Sequence, residues 1–385
     1  MEKIDPYKFK EKYTRWKTRV KEELKDFSDY NFSVFMQYLS DMECGLNVAT
    51  HHKKGSRGYL RLNAIRVRIA FLMREFQRKF ALDRITEITE AQLHSYFLSM
   101  RNGEITKRDG QKFRSVKDYV QDFKAFWHWW QKVNKKRDVE IKDITTDLDT
   151  SCEKPDWVYL TEEQIRYMAE NAKYEYRVLI WFLFDTGIRA PTELVNVRVA
   201  DFYNDFKELN IRQEISKTFG RRIKLMICSE LIKEYVQKKN LSREDYIFKI
   251  CPPVANRYLK RLGLKLFGDK ESPAGQRYSQ VTLYDLRHCA SCYWLPRYKS
   301  ESALKYRFGW KKSDKIHYYS ELLGMRDTIS QEDLLTDVTK IEIEKKLESS
   351  EKEKNILQER VNNLELQMAR ILKLTNKLEE NIVVA

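Results

Sequence analysis

The sequence predicts a multidomain, mainly α-helical chain with a small antiparallel β-sheet and a C-terminal coiled coil. Three observations carry this expectation. Apolar residues recur at helical spacing through most of the chain. One pair of strand-like segments, 208–215 and 221–227, is joined by a turn at Lys217-Thr218-Phe219-Gly220. From Ile343 onward, a mostly apolar heptad seam alternates steps of four and three, with polar interruptions at Ser350, Lys354 and Thr375.

The elements follow in chain order. Helical periodicity marks 27–39 and 62–80. A further helix starts near Thr89, where TEAQ forms a Thr-x-x-Gln capping box. Another starts at Ser115. On it Val116, Tyr119, Val120, Phe123, Trp127 and Trp130 fall on one stripe. The stripe reads as helix-packing core, because base stacking would need exposed rings. Two loops between these helices are basic: 51–57 (HHKKGSR) and 107–112 (KRDGQK). In a strongly cationic chain they read as phosphate contacts. Residues 134–156 are polar with almost no periodicity, as a linker would be. Thr161 can cap the next helix, and the apolar helix 177–186 follows. After the two strands, 229–325 reads as helical again. In the tail the seam runs through Ile343, Leu347, Ser350, Lys354, Leu357, Val361, Leu364, Met368, Ile371, Thr375 and Leu378. Coiled coil is the expectation; an amphipathic helix folded back on the body is the alternative.

Composition narrows the partners. The 385 residues include 72 Lys and Arg against 57 Asp and Glu, a net charge of +15. With 42% hydrophobic and 13% aromatic residues the chain can bury a core, which excludes global disorder. A folded cationic protein points to a polyanion, nucleic acid before an anionic membrane. The longest apolar run, 178–184, is far short of the roughly 20 residues a bilayer needs. The start, MEKIDPYKFKEKY, has no signal-peptide stretch, so a cytoplasmic location is expected. The six cysteines (Cys44, Cys152, Cys228, Cys251, Cys289, Cys292) are scattered. Cys289 and Cys292 form a lone CxxC, read as two small apolar residues on a buried helix face.

No Walker loop, HExxH or GxSxG occurs. Three other blocks stand out. The first is Asp185-Thr186-Gly187-Ile188-Arg189-Ala190-Pro191-Thr192-Glu193-Leu194. A buried helix should end at Gly187 and a new one begin near Pro191, seating Arg189 in the corner between them. The second is Thr282-Leu283-Tyr284-Asp285-Leu286-Arg287-His288. The third is Phe308-Gly309-Trp310, followed nine residues on by Tyr319.

In order and spacing these blocks resemble the tyrosine recombinases, or phage-type integrases, over about 157–325. That family shows TGxRxxEL, a β-hairpin lysine, HxLRH, LGH or LGW, then a tyrosine. The resemblance implies that Arg189 and Arg287 are the catalytic arginines, Lys217 the catalytic lysine, Trp310 the His-or-Trp position and Tyr319 the nucleophile. Tyr284 stands where the family has its HxxR histidine. The chemistry suits these types. Two arginines can clamp the non-bridging oxygens of a pentacoordinate phosphorus. Tyrosine, with pKa near 10, needs that help and a proton acceptor. Lysine can protonate the leaving 5′-hydroxyl. No cofactor, metal or ATP is implied. Two departures are visible: one extra residue separates Arg189 from Glu193, and Tyr284 replaces the histidine. The acceptor of the nucleophile's proton is left open. His288 and His317 are nearby in sequence, and His288, next to Arg287 on a helix, is expected to face elsewhere.

The implied organisation is an N-terminal helical extension (1–50), a helical, SAM-like core-binding domain (51–136), a linker (137–156), an α+β catalytic domain (157–330) and a coiled coil (340–382). The implied function is site-specific recombination of duplex DNA through a 3′-phosphotyrosine, integrating or excising a mobile element. Its partners would be double-stranded DNA, a tetramer of the chain on two synapsed duplexes, and accessory DNA-bending proteins. The alternatives are a type IB topoisomerase-like enzyme and an inactive DNA-binding protein on the same fold.

Overall fold

The computed structural model describes residues 3–48, 54–151, 155–298 and 300–323, with helical positions within 350–368. Residues 1–323 form one compact unit, and 324–385 belong to a second. The first unit contains two hydrophobic cores.

The first core is helical. It is built from α1 (Phe9–Thr18), α2 (Val20–Glu23), α3 (Asp29–Cys44), α4 (Tyr59–Phe80), α5 (Glu90–Asn102) and α6 (Val116–Lys135). Thr89 and Gln92 make the expected reciprocal cap on α5. The stripe on α6 is core: Val116, Val120, Phe123 and Trp127 are buried, together with Phe126 and Trp129. The Trp129 indole donates to Asp41 at 2.7 Å, which satisfies its N–H inside the core. Residues 137–151, polar in sequence, lie against this core rather than hanging free. Ile144 and Leu148 are buried, and Trp127 Nε1 donates to the Lys142 carbonyl at 2.9 Å.

The second core gathers α7 (Glu162–Glu170), α8 (Tyr174–Thr186), α9 (Ser229–Lys238), α10 (Pro252–Phe267), α11 (Leu283–Trp294), α12 (Glu301–Phe308) and α13 (Asp314–Leu322) around a three-stranded sheet. Helix α8 is apolar nearly all round and is buried on most of its faces, as such a helix must be. Cys289 and Cys292 are buried on α11. The sheet runs β1 (Phe202–Tyr203), β2 (Glu208–Ile211), β3 (Arg221–Lys224), all antiparallel, with Leu209 opposite Ile223 and Ile211 opposite Arg221.

Three details differ from the sequence reading. Strand β1 is two residues long, too short to show a period. Strands β2 and β3 stop early. After Ile211 the Ile215 and Ser216 amides turn back to the Arg212 carbonyl, and after Leu225 the amides of Met226, Ile227 and Cys228 donate to the Asp185 carboxylate. Finally, no α-helix begins near Pro191. The Glu193 and Leu194 amides both bond the Arg189 carbonyl, and the chain tightens into one 3-10 turn at Leu194–Asn196.

In the second unit the described residues of 350–368 are helical, and Leu357, Val361, Leu364 and Met368 are exposed. The seam positions Ile343, Leu347, Ile371, Thr375 and Leu378 lie outside the described residues. No helix among the described residues is long and apolar enough to cross a membrane.

Candidate active site

The site is assembled where helix ends meet. Helix α8 stops at Gly187, whose left-handed φ of +56° closes the C-terminus. A β-carbon there would fall 2.2 Å from the Phe308 ring, so the close approach of α8 to the end of α12 requires glycine. Helix α12 likewise ends at Gly309, with φ +63°. Three carbonyls at these two ends hold two arginines. Arg287, buried on α11, donates to the Gly187 carbonyl and, at 2.7 Å, to that of Phe308. Arg189 donates to the Gly309 carbonyl at 2.8 Å. Helix C-termini present negative carbonyl ends, so each guanidinium is attracted as well as oriented.

Glu193 ties this cluster together. The extra residue between Arg189 and Glu193 does not part them. The Glu193 carboxylate accepts from the Arg189 guanidinium at 2.8 Å and from its amide at 2.9 Å. It also accepts from Arg221 at 2.8 and 3.2 Å and from the Ser216 hydroxyl at 3.3 Å. Glu193 is fully buried. Burial alone would raise its pKa, but Arg221, then the Arg189 amide and the charge of Arg287, hold it at about 2. Burial, followed by the charge of Arg189, lowers Arg287 to about 10, still cationic at neutral pH. Three guanidinium groups thus face one carboxylate, an excess of positive charge in a mostly buried site. Some 15% of the Arg189 side chain stays open to solvent. Such a place is built to take an anion.

Tyr319 stands beside this cluster on α13. It is buried, its ring stacks on Trp310 at 5.8 Å and 18°, and Trp310 in turn stacks on Phe308 at 4.8 Å. Burial pushes the Tyr319 phenol well above its ordinary value, while Ser291 and the charge of Arg287 act against that rise. Tyr318, one residue earlier, instead donates to the Pro155 carbonyl at 3.2 Å.

The structure therefore brings together Arg189, Arg287, Trp310 and Tyr319. Tyr284 lies at their margin, half exposed on the outer face of α11, and its ring packs edge-on against His288 at 4.9 Å. Lys217 is exposed on the loop between β2 and β3. Both its neighbours are anchored in the site: Ser216 donates to Glu193, and Thr218 donates to the Gly309 carbonyl at 2.9 Å.

Two residues escaped the sequence reading. Arg221 is buried and braces Glu193, while its Nε donates to the Arg307 carbonyl at 2.8 Å. A signal existed: Arg221 shares strand parity with the apolar Ile223 and Leu225, so alternation turns it inward. The second is His288. It does not face away; its Nδ1 lies 2.5 Å from the Tyr319 hydroxyl. Residues 285–288 span one helical turn, so Arg287 can reach inward while His288, about 100° further round, reaches α13.

With this geometry in hand, comparison with solved structures defines the fold. The Tn1549 transposon integrase in complex with a circular intermediate DNA matches with a TM-score of 0.55 at 13% identity, covering 77% of this chain and 95% of that one. A lambda integrase dimer bound to a COC′ core site matches with a TM-score of 0.53 at 16% identity, covering 85% and 83%. The XerH site-specific recombinase bound to a palindromic difH substrate gives 0.53 at 14%, covering 69% and 77%. The chain has the fold of the tyrosine recombinases and integrases. No protein-family model and no curated protein sequence matches it.

Proposed function

We propose that this protein is a site-specific DNA recombinase that cleaves and rejoins duplex DNA through a 3′-phosphotyrosine, integrating or excising a mobile element. The observation that carries the reading is the buried excess of guanidinium charge beside the buried Tyr319 hydroxyl. Arg189 and Arg287 would hold the non-bridging oxygens of the scissile phosphate, and the charge they carry suits the pentacoordinate transition state better than the ground state. Tyr319 Oη would attack phosphorus in line, forming the P–O bond to tyrosine as the P–O5′ bond breaks. Lys217, on its anchored loop, would give the proton that the leaving 5′-oxygen needs. The phosphotyrosine retains the bond energy, so rejoining is the same step reversed with a different 5′-hydroxyl. Tyr284, half exposed, would donate one hydrogen bond from its hydroxyl to the phosphate.

The solved structures of the same fold are complexes with DNA, which supports duplex DNA as the partner here. The net charge of +15 supports it independently. We also infer that the exposed apolar residues of 350–368 join copies of the chain as a coiled coil, within a tetramer on two synapsed duplexes.

A suicide DNA substrate tests the reading. Wild type and Tyr318→Phe should give an SDS-stable protein–DNA adduct, and Tyr319→Phe should not. An adduct from Tyr319→Phe would overturn the nucleophile. A wild type that binds the element's DNA without any adduct would show the fold to be inactive.

A further inference from the structure

His288 is held on three sides. Its ring lies 4.7 Å from that of Trp157 at 32°, meets Tyr284 edge-on at 4.9 Å, and presents Nδ1 to Tyr319 Oη at 2.5 Å. Trp157 is itself fixed, because its amide donates to the Ala274 carbonyl and its carbonyl accepts from the Gln276 amide and the Ser272 hydroxyl. The orientation of the imidazole is thus imposed by packing, on the atom that must lose a proton for Tyr319 to attack.

The neighbouring bases are already engaged. Glu193 is spanned by Arg189 and Arg221. Asp285 accepts from the Val158 amide and from the Thr282 amide and hydroxyl. Tyr284 is a phenol and accepts a proton poorly. His317 is exposed on α13. Ser291 reaches the Tyr319 hydroxyl as well, but an aliphatic hydroxyl accepts a proton poorly, and among the described residues the His288 imidazole joins reach to basicity.

We propose that His288 Nδ1 accepts the Tyr319 phenol proton during cleavage and returns it during rejoining. The inference rests on the recombinase reading above and assigns a residue to the step that reading leaves open. The balance is simple. The Oη–H proton moves to Nδ1 as the Oη–P bond forms, the P–O5′ bond breaks, and the 5′-oxygen takes a separate proton from Lys217. The imidazolium so formed offsets the negative charge gathering on phosphorus. By the same geometry it is the acid for the departing phenol in the reverse step. Tyr284, standing in the family's histidine position, then completes the wall of the imidazole's seat. The function of that histidine has moved one helical turn along α11.

The test uses the full chain and two suicide substrates under single turnover at saturating protein: one with the natural 5′-oxygen, one with bridging 5′-sulfur. A thiolate leaves without a proton, so sulfur should restore Lys217→Ala. His288→Gln keeps a polar side chain but cannot take the proton. It should slow adduct formation about 100-fold at pH 7 on both substrates. Tyr284 on α11, Tyr319 on α13 and the uncharged Trp157 pack against the imidazole, Tyr318 packs on Trp157 and Tyr319, and Arg287 and Cys292 act on Tyr319. The wild-type rate should fall toward acid pH, because a protonated imidazole cannot take the proton, whereas the His288→Gln rate should climb with hydroxide. Rescue of His288→Gln by the sulfur substrate, or cleavage within threefold of wild type, would overturn the assignment. Nitrogen-15 NMR supplies a readout without turnover: Nδ1 of His288 should show the acceptor shift, and lose it in Tyr319→Phe. A wild type that keeps this shift yet forms no adduct overturns the recombinase reading itself and the proton transfer with it. A wild type that cleaves while lacking the shift overturns the His288 assignment alone.

Discussion

Removing Arg221 should separate the stability of the site from its chemistry. Arg221 is buried and holds the Glu193 carboxylate at 2.8 and 3.2 Å. Arg221→Met keeps most of the volume and deletes the charge. Glu193, also buried, is then left to Arg189 alone. Breaking one side of a buried pair costs roughly 3–5 kcal/mol. The remaining Arg189 contact should trim that to about 2–4 kcal/mol at pH 7. The pH dependence has a definite sign. Glu193 sits at about 2 in the folded protein, below its ordinary 4.5, so its contribution is present above pH 4.5 and lost as pH falls toward 2. The gap between wild type and Arg221→Met should therefore narrow over that window. Cleavage should fall about 100-fold, because Arg189 loses its fixed seat, and a shift near 1 Å is worth that much. The double variant Glu193→Leu with Arg221→Met deletes both charges. It should recover only part of the stability, because Arg189 loses its carboxylate as well, and it should still cleave poorly. Urea unfolding and single-turnover adduct formation measure the two quantities. A single variant within about 0.5 kcal/mol of wild type, a margin typical of changes at unimportant sites, would refute the brace. So would a double variant that cleaves at the wild-type rate.

Three further outcomes are expected. Gly187→Ala should lose about 2–4 kcal/mol by chemical unfolding, from overpacking against Phe308 and a left-handed φ that disfavours a side chain, and it should slow cleavage as well. Arg189→Ala and Arg287→Ala should lower duplex affinity only modestly, with a salt slope about one unit shallower, but cut the cleavage rate roughly 100-fold or more; filter binding against salt and adduct kinetics distinguish the two. Ending the chain near residue 335 should lower the oligomeric state seen by sedimentation on DNA, because Leu357, Val361, Leu364 and Met368 would lose their partner surface.

The sequence made the outline of both cores legible because its signals are local. Thr89 and Thr161 announce their helices through reciprocal caps, and the apolar run of α8 predicts its burial. Gly187 marks the end of that helix for the same reason. What stayed hidden depends on which side chains meet across the fold. Arg221 looks like one more cation after a turn until β3 is paired and the inward face becomes visible. His288 reads as a neighbour pointing away until α13 is placed against α11, which no spacing within one helix can show. Pro191 suggested a helix start, but the Glu193 carboxylate bonds the Arg189 amide and the chain closes into a turn.

The means by which the arginines are held has a mechanical consequence. Of the three carbonyls that pin them, two, those of Phe308 and Gly309, belong to the end of α12. The same chain then supplies Trp310, which stacks on Tyr319, and continues into α13, which carries the hydroxyl. The remaining carbonyl, of Gly187, is kept in place by the contact of α8 with Phe308. Clamp and nucleophile therefore share one support. A displacement of α12 and α13 that withdraws Tyr319 also strips acceptors from Arg189 and Arg287. The two guanidinium groups would then be left with buried, unpaired donors. A displacement of the end of α12 is disfavoured for that reason, since it would unseat both arginines together with Trp310, on which Tyr319 stacks.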